Sequence, residues 1–351
     1  KRAGTISACP PCLPTVAAII GKNKKSEPMT DCGLRFGLSY FGGPEETRTL
    51  DLSDANRTLS QLSYRPISYL HIIARWEKIV KKKLAGFSNP WYTSRDRIGG
   101  ITLHYQDINA ATVDRWVENG WQWGLPVSHE AYLDAVNGNW DVVLTPTKPV
   151  PHDWFGDLNG KRVLGLASGG GQQMPIFAAL GAECTVLDYS QKQLESERVV
   201  AEREGYDITV VRADMTKPLP FPDDSFDLIF HPVSNCYVEE VEPIFRECFR
   251  VLRRGGALLA GFDNGINFMV GLDEKTIENT MPFNPLKNEA QLRQLEQQDD
   301  GIEFSHTLEE QIGGQLKAGF RLTHLYGDTN GCGYLQERNI ETFLATRAVK
   351  P

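Results

Sequence analysis

Four groups of residues could do chemistry: the stretch LASGGGQQ at Leu166–Gln173, and Asp188, Asp214 and His231, each at or beside the end of a later apolar run. Glycine lets backbone N–H groups come close to a ligand and tolerates positive φ. A helix starting just beyond such a bend offers further N–H groups to an anion. Phosphates, a nucleotide or a sulfonium nucleoside could each occupy it. Asp188, closing the run CTVLD, is placed to accept both hydroxyls of a ribose. The dinucleotide fingerprint GxGxxG fails, because the sixth position counted from Gly169 is Met174. The Walker pattern GxxxxGK[ST] is absent as well.

The elements that must carry these residues follow a regular rhythm after Gly160. Apolar runs RVLGLA, CTVLDY, ITVVRA, FDLIFHP and GALLAGF predict strands, and QQMPIFAALGA, QKQLESERVVAEREG and EEVEPIFRECFRVL predict helices. Continuous apolar strands alternating with helices specify a parallel sheet covered on both faces. The end of the chain differs. Helix LEEQIGGQLKAG precedes strands RLTHLYG and ETFLATRAV with no helix predicted between them, which implies an antiparallel pair at the sheet edge. In a doubly wound sheet, ligands sit at the carboxyl ends of the strands where their order reverses.

Upstream, residues 91–160 form a second unit. All seven tryptophans precede residue 155, and six fall between Trp91 and Trp154. Asn109 is a candidate N-cap for AATVDRWVE and Ser128 for HEAYLDAV. Two aromatic-rich helices before a nucleotide-binding core read as a lid, though simple core packing accounts for tryptophan equally well. The long connection 264–305 is expected to complete the roof.

The first 90 residues read as a basic, poorly specified extension. They hold 14 Lys and Arg against 7 Asp and Glu, whereas the rest holds 23 against 38. Ile67, Leu70, Ile73, Trp76, Val80 and Leu84 recur at helical spacing among basic residues, as in an amphipathic helix packed on its own domain or docked elsewhere. Val80 precedes KKKLAGFSNPWYTS, and a native start near it would make the upstream residues a leader or tag. Cys9 and Cys12 form a CPPC pair without the strand-to-helix context of a redox site. Seven scattered cysteines suit a reducing cytoplasm, and no metal-ligand spacing is present. The apolar runs are too short to span a bilayer. The acidic body disfavours wide contact with nucleic acid.

With GLPVSHE, LASGGGQQ, HPVSN and ATRA on the page, the chain from about Pro90 onward resembles class I S-adenosylmethionine-dependent methyltransferases of the type 11 group. The resemblance implies an α/β fold, a Rossmann-like doubly wound, mostly parallel seven-stranded sheet with an antiparallel C-terminal edge strand and an N-terminal helical lid. It implies S-adenosylmethionine as cofactor and S-adenosylhomocysteine as product. Ala167, Ser168, Gly169 and Gly171 would cradle the methionine part and ribose. Asp188 would bind the ribose diol and Tyr189 flank the adenine. Asp214 would accept from the adenine amino group, and Met215 would pack on the ring. His231 would border the sulfonium and serve as the base where the acceptor arrives protonated, with His152 and Tyr237 as later choices. Two departures stand out: the family's acid falls at Gly165, and its first glycine at Ala167. Gln172 and Gln173 are candidate substitutes for the missing acid.

The expected partner is a small-molecule methyl acceptor, with nucleic acid disfavoured because HPVSN is not the signature of base-modifying relatives. Two other readings stand beside this one. One is a non-catalytic module that binds the cofactor or its product. The other is an NAD-dependent oxidoreductase on a related sheet.

Overall fold

Seven strands form one sheet in the order β3-β2-β1-β4-β5-β7-β6. The strands are β1 (Arg162–Leu166), β2 (Glu183–Asp188), β3 (Ile208–Arg212), β4 (Phe226–His231), β5 (Leu252–Asp263), β6 (Arg321–Asp328) and β7 (Phe343–Val349). Pairs β1–β2, β2–β3, β1–β4 and β4–β5 are parallel, as the continuous apolar runs require. β7 runs antiparallel to both β5 and β6 and lies between them, so the antiparallel pair occupies the edge with β6 outermost. The order reverses between β1 and β4. A crevice therefore opens beyond their carboxyl ends.

This computed structural model describes residues 104–298 and 300–351, all within a single unit, Gly99–Pro351. The expectations for residues 1–90, including the amphipathic helix, the CPPC pair and a start near Val80, lie outside the described residues. So does Trp91.

Helices cover both faces of the sheet. One face packs Val163, Phe177, Val186, Leu194 and Phe230, with Trp154 and Phe155 from upstream. The other packs Leu164, Leu187, Ile229, Phe245, Cys248 and Leu258. Val163 and Leu164 enter opposite layers because successive side chains of a strand alternate in direction. Phe177 and Phe230 meet edge to face with centroids 5.2 Å apart. Burying each ring contributes about 2–3 kcal/mol.

Three local differences from the sequence reading have physical causes. Helix α1 (Tyr105–Glu118) starts earlier than an Asn109 cap would allow. Asn109 is buried in mid-helix, where its amide bonds to distant backbone, donating to Tyr237 O and Ile302 O and accepting from Ile302 N. A polar side chain used at long range looks locally like a cap. By contrast, Ser128 does cap α2 (His129–Val136), its Oγ accepting from Ala131 N at 3.2 Å. The glycine bend runs on to Gln173, so α3 is only Met174–Ala179, with Pro175 in its first turn. A short helix, Gly333–Glu337, stands between β6 and β7 where none is predicted.

Helix α4 (Gln191–Glu204) matters most for the site. Ser190 caps it, its Oγ accepting from Gln193 N at 3.1 Å, and Gly205 ends it with φ 75°. Among the described residues no helix is long and apolar enough to cross a membrane.

Candidate active site

The bend after β1 carries Ala167 at φ 47°, Gly170 at φ 107° and Gly171 at φ 70°. The N–H groups of its three glycines do not face outward, contrary to the anion-cradle expectation. Gly169 N donates to Asp188 Oδ2 (3.1 Å), Gly170 N to Gln193 O (3.0 Å) and Gly171 N to Glu197 Oε1 (2.8 Å). Three successive donors are thus spent on β2 and α4. That arrangement is poor for a pyrophosphate, which needs such donors for itself. A Cβ at Gly169 would stand 2.6 Å from Gln193 Cβ, and one at Gly170 would stand 2.9 Å from Trp123 O. Glycine is required because the bend is pressed between helix and roof.

A cavity of about 280 Å³ lies over this bend. Of the sequence-predicted residues, Ala167, Ser168, Gly169, Gln172, Gln173, Asp188, Tyr189, Asp214 and Met215 line it, whereas Gly171 and His231 do not. Asp188 is half-buried. Burial raises its pKa, while N–H groups of Ser190 and Gly169 work against that rise. Asp214 Oδ1 accepts from Thr216 N and Oγ1 at 2.8 and 2.7 Å. Tyr189 donates its hydroxyl to Asp107 Oδ1 of α1 at 2.7 Å, tying the second strand to the roof.

Gln172 is a latch: its Nε2 donates to the carbonyls of Gln122 and Leu125 at 2.8 and 3.1 Å. Gln173 Oε1 accepts from Ser168 Oγ at 3.0 Å. His231 is fully buried. Its Nδ1 bonds to Leu166 O and its Nε2 meets the Asn235 amide, both at 2.8 Å. Burial lowers its pKa, while its bonds to Leu166 O and the Asn235 amide act against that. The expectation that it borders the substrate is corrected: it joins the ends of β1 and β4 from below. His152 also lies off the cavity, stacked on Trp140 at 4.0 Å. Tyr237 does line it, but burial holds its phenol well above the usual range, unsuited to accept a proton.

The lining includes residues the sequence reading did not single out. Trp121 and Trp123 come from the roof, Gln193 from α4, Thr145 and Pro146 from the segment before β1, and Phe343 from β7. Gln193 had a usable signal, since it follows the Ser190 cap of the helix that leaves the Asp188 strand. Phe343 had none, because only the insertion of β7 beside β5 brings it there. Among the described residues the connection 264–305 contributes none to the lining, unlike its expected place in the roof. It meets the site at second hand, through Ile302 on Asn109 and Phe304 N on Cys236 O (2.7 Å).

Residues 164–260 match the family described as a methyltransferase domain. Over 249 residues the chain is 41% identical to the uncharacterized methyltransferase YbaJ of Bacillus subtilis, spanning 69% of this chain and 97% of that relative. The chain belongs to the class I S-adenosylmethionine-dependent methyltransferase family. The methyltransferase is also 34% identical over 107 residues to a demethylmenaquinone methyltransferase of Renibacterium salmoninarum, covering 30% of this chain and 43% of that one. A solved S-adenosylmethionine-dependent methyltransferase from Mesorhizobium loti is 22% identical with a TM-score of 0.44, over 56% of this chain and 94% of that one.

The cofactor is therefore S-adenosylmethionine, and the residues present fit it. Among the described residues the lining holds two carboxylates, Asp188 and Asp214, and no Lys or Arg, which suits a ligand with net positive charge. Gln193 Oε1 is buried without a hydrogen-bond partner among the described residues, in a side chain that lines the cavity. A bare acceptor of that kind is costly unless a ligand donor meets it.

Proposed function

We propose that the methyltransferase passes its methyl group to a small, uncharged and largely apolar acceptor held under the tryptophan roof. Asp188 takes the ribose hydroxyls, Tyr189 and Met215 flank the adenine, and Asp214 receives the adenine amino group. Ala167, Ser168, Gly169 and Gln193 hold the methionine end. The acceptor lies against Trp121, Trp123, Pro232, Val233, Tyr237 and Phe343.

One observation carries this reading: among the described residues, the cavity wall joins carboxylates to aromatic and aliphatic side chains and contains no cationic one. A carboxylate- or phosphate-bearing acceptor would lose its hydration there and gain no counter-charge. A nucleic-acid target would also meet an acidic body.

The sulfonium supplies an activated methyl group and a neutral thioether leaving group. What remains for the protein is to align and to exclude water, and orientation alone can be worth roughly 7–11 kcal/mol of barrier. The tryptophans close the top, while Gln172 and the bond from Val127 N to Gly171 O (2.8 Å) tie the roof to the bend. His231 acts as a positioning residue, holding the tip of β1 beneath the cofactor.

Calorimetric titration with S-adenosylmethionine tests the reading. Asp188→Asn should weaken binding at least tenfold without unfolding the protein. Unchanged affinity in that variant would overturn the assignment. Release of S-adenosylhomocysteine should appear with neutral acceptors in a metabolite panel and not with their carboxylated or phosphorylated analogues.

A further inference from the structure

We propose that Glu197 is a positioning residue for the methyl donor: from beneath the glycine bend its carboxyl fixes Gly171, and through Gly171 it fixes the roof. This rests on the reading that the bend holds the donor, and it concerns a residue that lies outside the cavity wall.

Glu197 has no exposed surface, yet it is an acid in the middle of α4. The same helix face buries Gln193, Leu194, Val200 and Ala201. An aliphatic side chain would pack there at no desolvation cost, so the carboxyl has to be explained by what it holds. Its Oε1 accepts from Gly171 N at 2.8 Å. Its Oε2 has no partner among the described residues.

Gly171 is a junction. Its φ is 70°, and a Cβ on it would stand 2.9 Å from Val200 Cγ2 and 3.1 Å from Ser196 O, so the bend rests directly on α4. Its carbonyl accepts from Val127 N of the segment that leads into α2. The Glu197 carboxyl below and the Val127 N–H above thus grip opposite sides of one peptide neighbourhood. Gln193 and Glu197 are one helical turn apart, which lets α4 take the N–H groups of Gly170 and Gly171 in succession. Asp188 takes Gly169.

Removing the Glu197 carboxyl leaves Gly171 N–H buried and bare, free to turn toward the cavity the donor occupies. The groups facing Glu197 are Asp188 and Cys184 from β2 and Tyr206 beyond α4. Burial, with a smaller push from Asp188, raises its pKa to about 8, so the neutral acid is the resident form. A neutral amide should therefore replace it well.

The test compares Glu197→Gln, Glu197→Ala and Glu197→Asp by calorimetry with S-adenosylmethionine, alongside amide hydrogen exchange of the ligand-free protein. Glu197→Gln keeps an acceptor at the right reach and should bind within about threefold of the parent. Glu197→Ala and the shorter Glu197→Asp should each bind at least tenfold more weakly. Exchange at Gly171 and Val127 should quicken in those two variants and not in the Gln variant, with the amides of β3 unchanged.

Equal affinity in the parent and Glu197→Ala, or equal loss in the Gln and Ala variants, would sink the proposal. If Glu197→Ala does not fold, the Gln and Asp pair makes the same comparison. Asp188→Asn serves as the control: normal binding by that variant refutes the donor site itself, whereas weakened binding beside an unaffected Glu197→Ala refutes only the role of Glu197.

Discussion

Met174 fills the space above Gly165: a Cβ built on Gly165 would stand 2.8 Å from its Sδ and 2.9 Å from its Cε. Related methyltransferases carry an acid at this position, as the motif resemblance implies. Here the thioether at the start of α3 has taken its room, and Met174 is fully buried.

Restoring the acid alone should therefore fail. Gly165→Asp overpacks a closed layer, at about 1–3 kcal/mol, and buries a carboxylate without a partner. Met174→Ala alone should lose about 2–5 kcal/mol through the cavity it leaves. Combined, the two changes should be less damaging than their sum, because each relieves the other. Urea denaturation of the four proteins measures this coupling, and strict additivity would remove the steric explanation.

Ala167 makes the opposite prediction. At φ 47° it occupies the left-handed region, where a Cβ costs about 1–2 kcal/mol. Ala167→Gly relieves that strain but frees the unfolded chain, at roughly 0.5–1 kcal/mol. The net gain should be up to about 1 kcal/mol, with donor binding retained. Ala167→Val should lose stability, since a β-branched side chain is worse in this conformation. A destabilised glycine variant would mean that the alanine methyl packs usefully.

How much of this was legible depends on the range of the contacts involved. Strands β1, β2, β4 and β5 announce themselves through apolar runs buried in the sheet, and the edge strand β3 through its β-branched run ITVV. Asp188 could be placed because a carboxylate at the tip of the second strand follows from local order. The inward turn of the glycine N–H groups could not be read, since Gln193 and Glu197 become their partners only once α4 packs against the bend. Asn109 misled for a related reason, its amide being used by Ile302 at the far end of the chain. The short helix at Gly333–Glu337 hid in NGCGYLQERN, where glycines and asparagines suggest only a turn. His231 looked catalytic because it ends a strand beside the site, but Leu166 and Asn235 claim both of its nitrogens.

His231 should accordingly behave as a structural joint. His231→Ala leaves Leu166 O and the Asn235 amide without their partner and opens a void under the sheet tips. Together these should cost about 2–4 kcal/mol in urea denaturation. Affinity for S-adenosylmethionine should fall through displacement of β1. A variant as stable as the parent would return His231 to consideration as a base.

Stability should fall between pH 6.5 and 8, because buried carboxyls hold protons there that the unfolded chain has released. Glu197 and Glu303 are raised by burial to about 8, and Asp263 to about 6. Between the unfolded carboxylate range near 4.3 and these values, the folded protein holds protons that the unfolded chain has released. Stability therefore falls as pH rises through that window. Burial lowers the pKa of His231 and His306 instead. Below about 6.5 the unfolded imidazoles take up protons more readily than the buried ones, which opposes the carboxyl trend there. From pH 6.5 to 8 the histidine contribution fades, and Glu197 and Glu303 each contribute at most about 1.4 kcal/mol per pH unit. Chemical denaturation at pH 5.5, 6.5 and 8 should show the decline above 6.5, and Glu197→Gln should remove close to half of it. A protein that gains stability between pH 6.5 and 8 would show that both glutamates are ionised in the folded state and have found counter-charges.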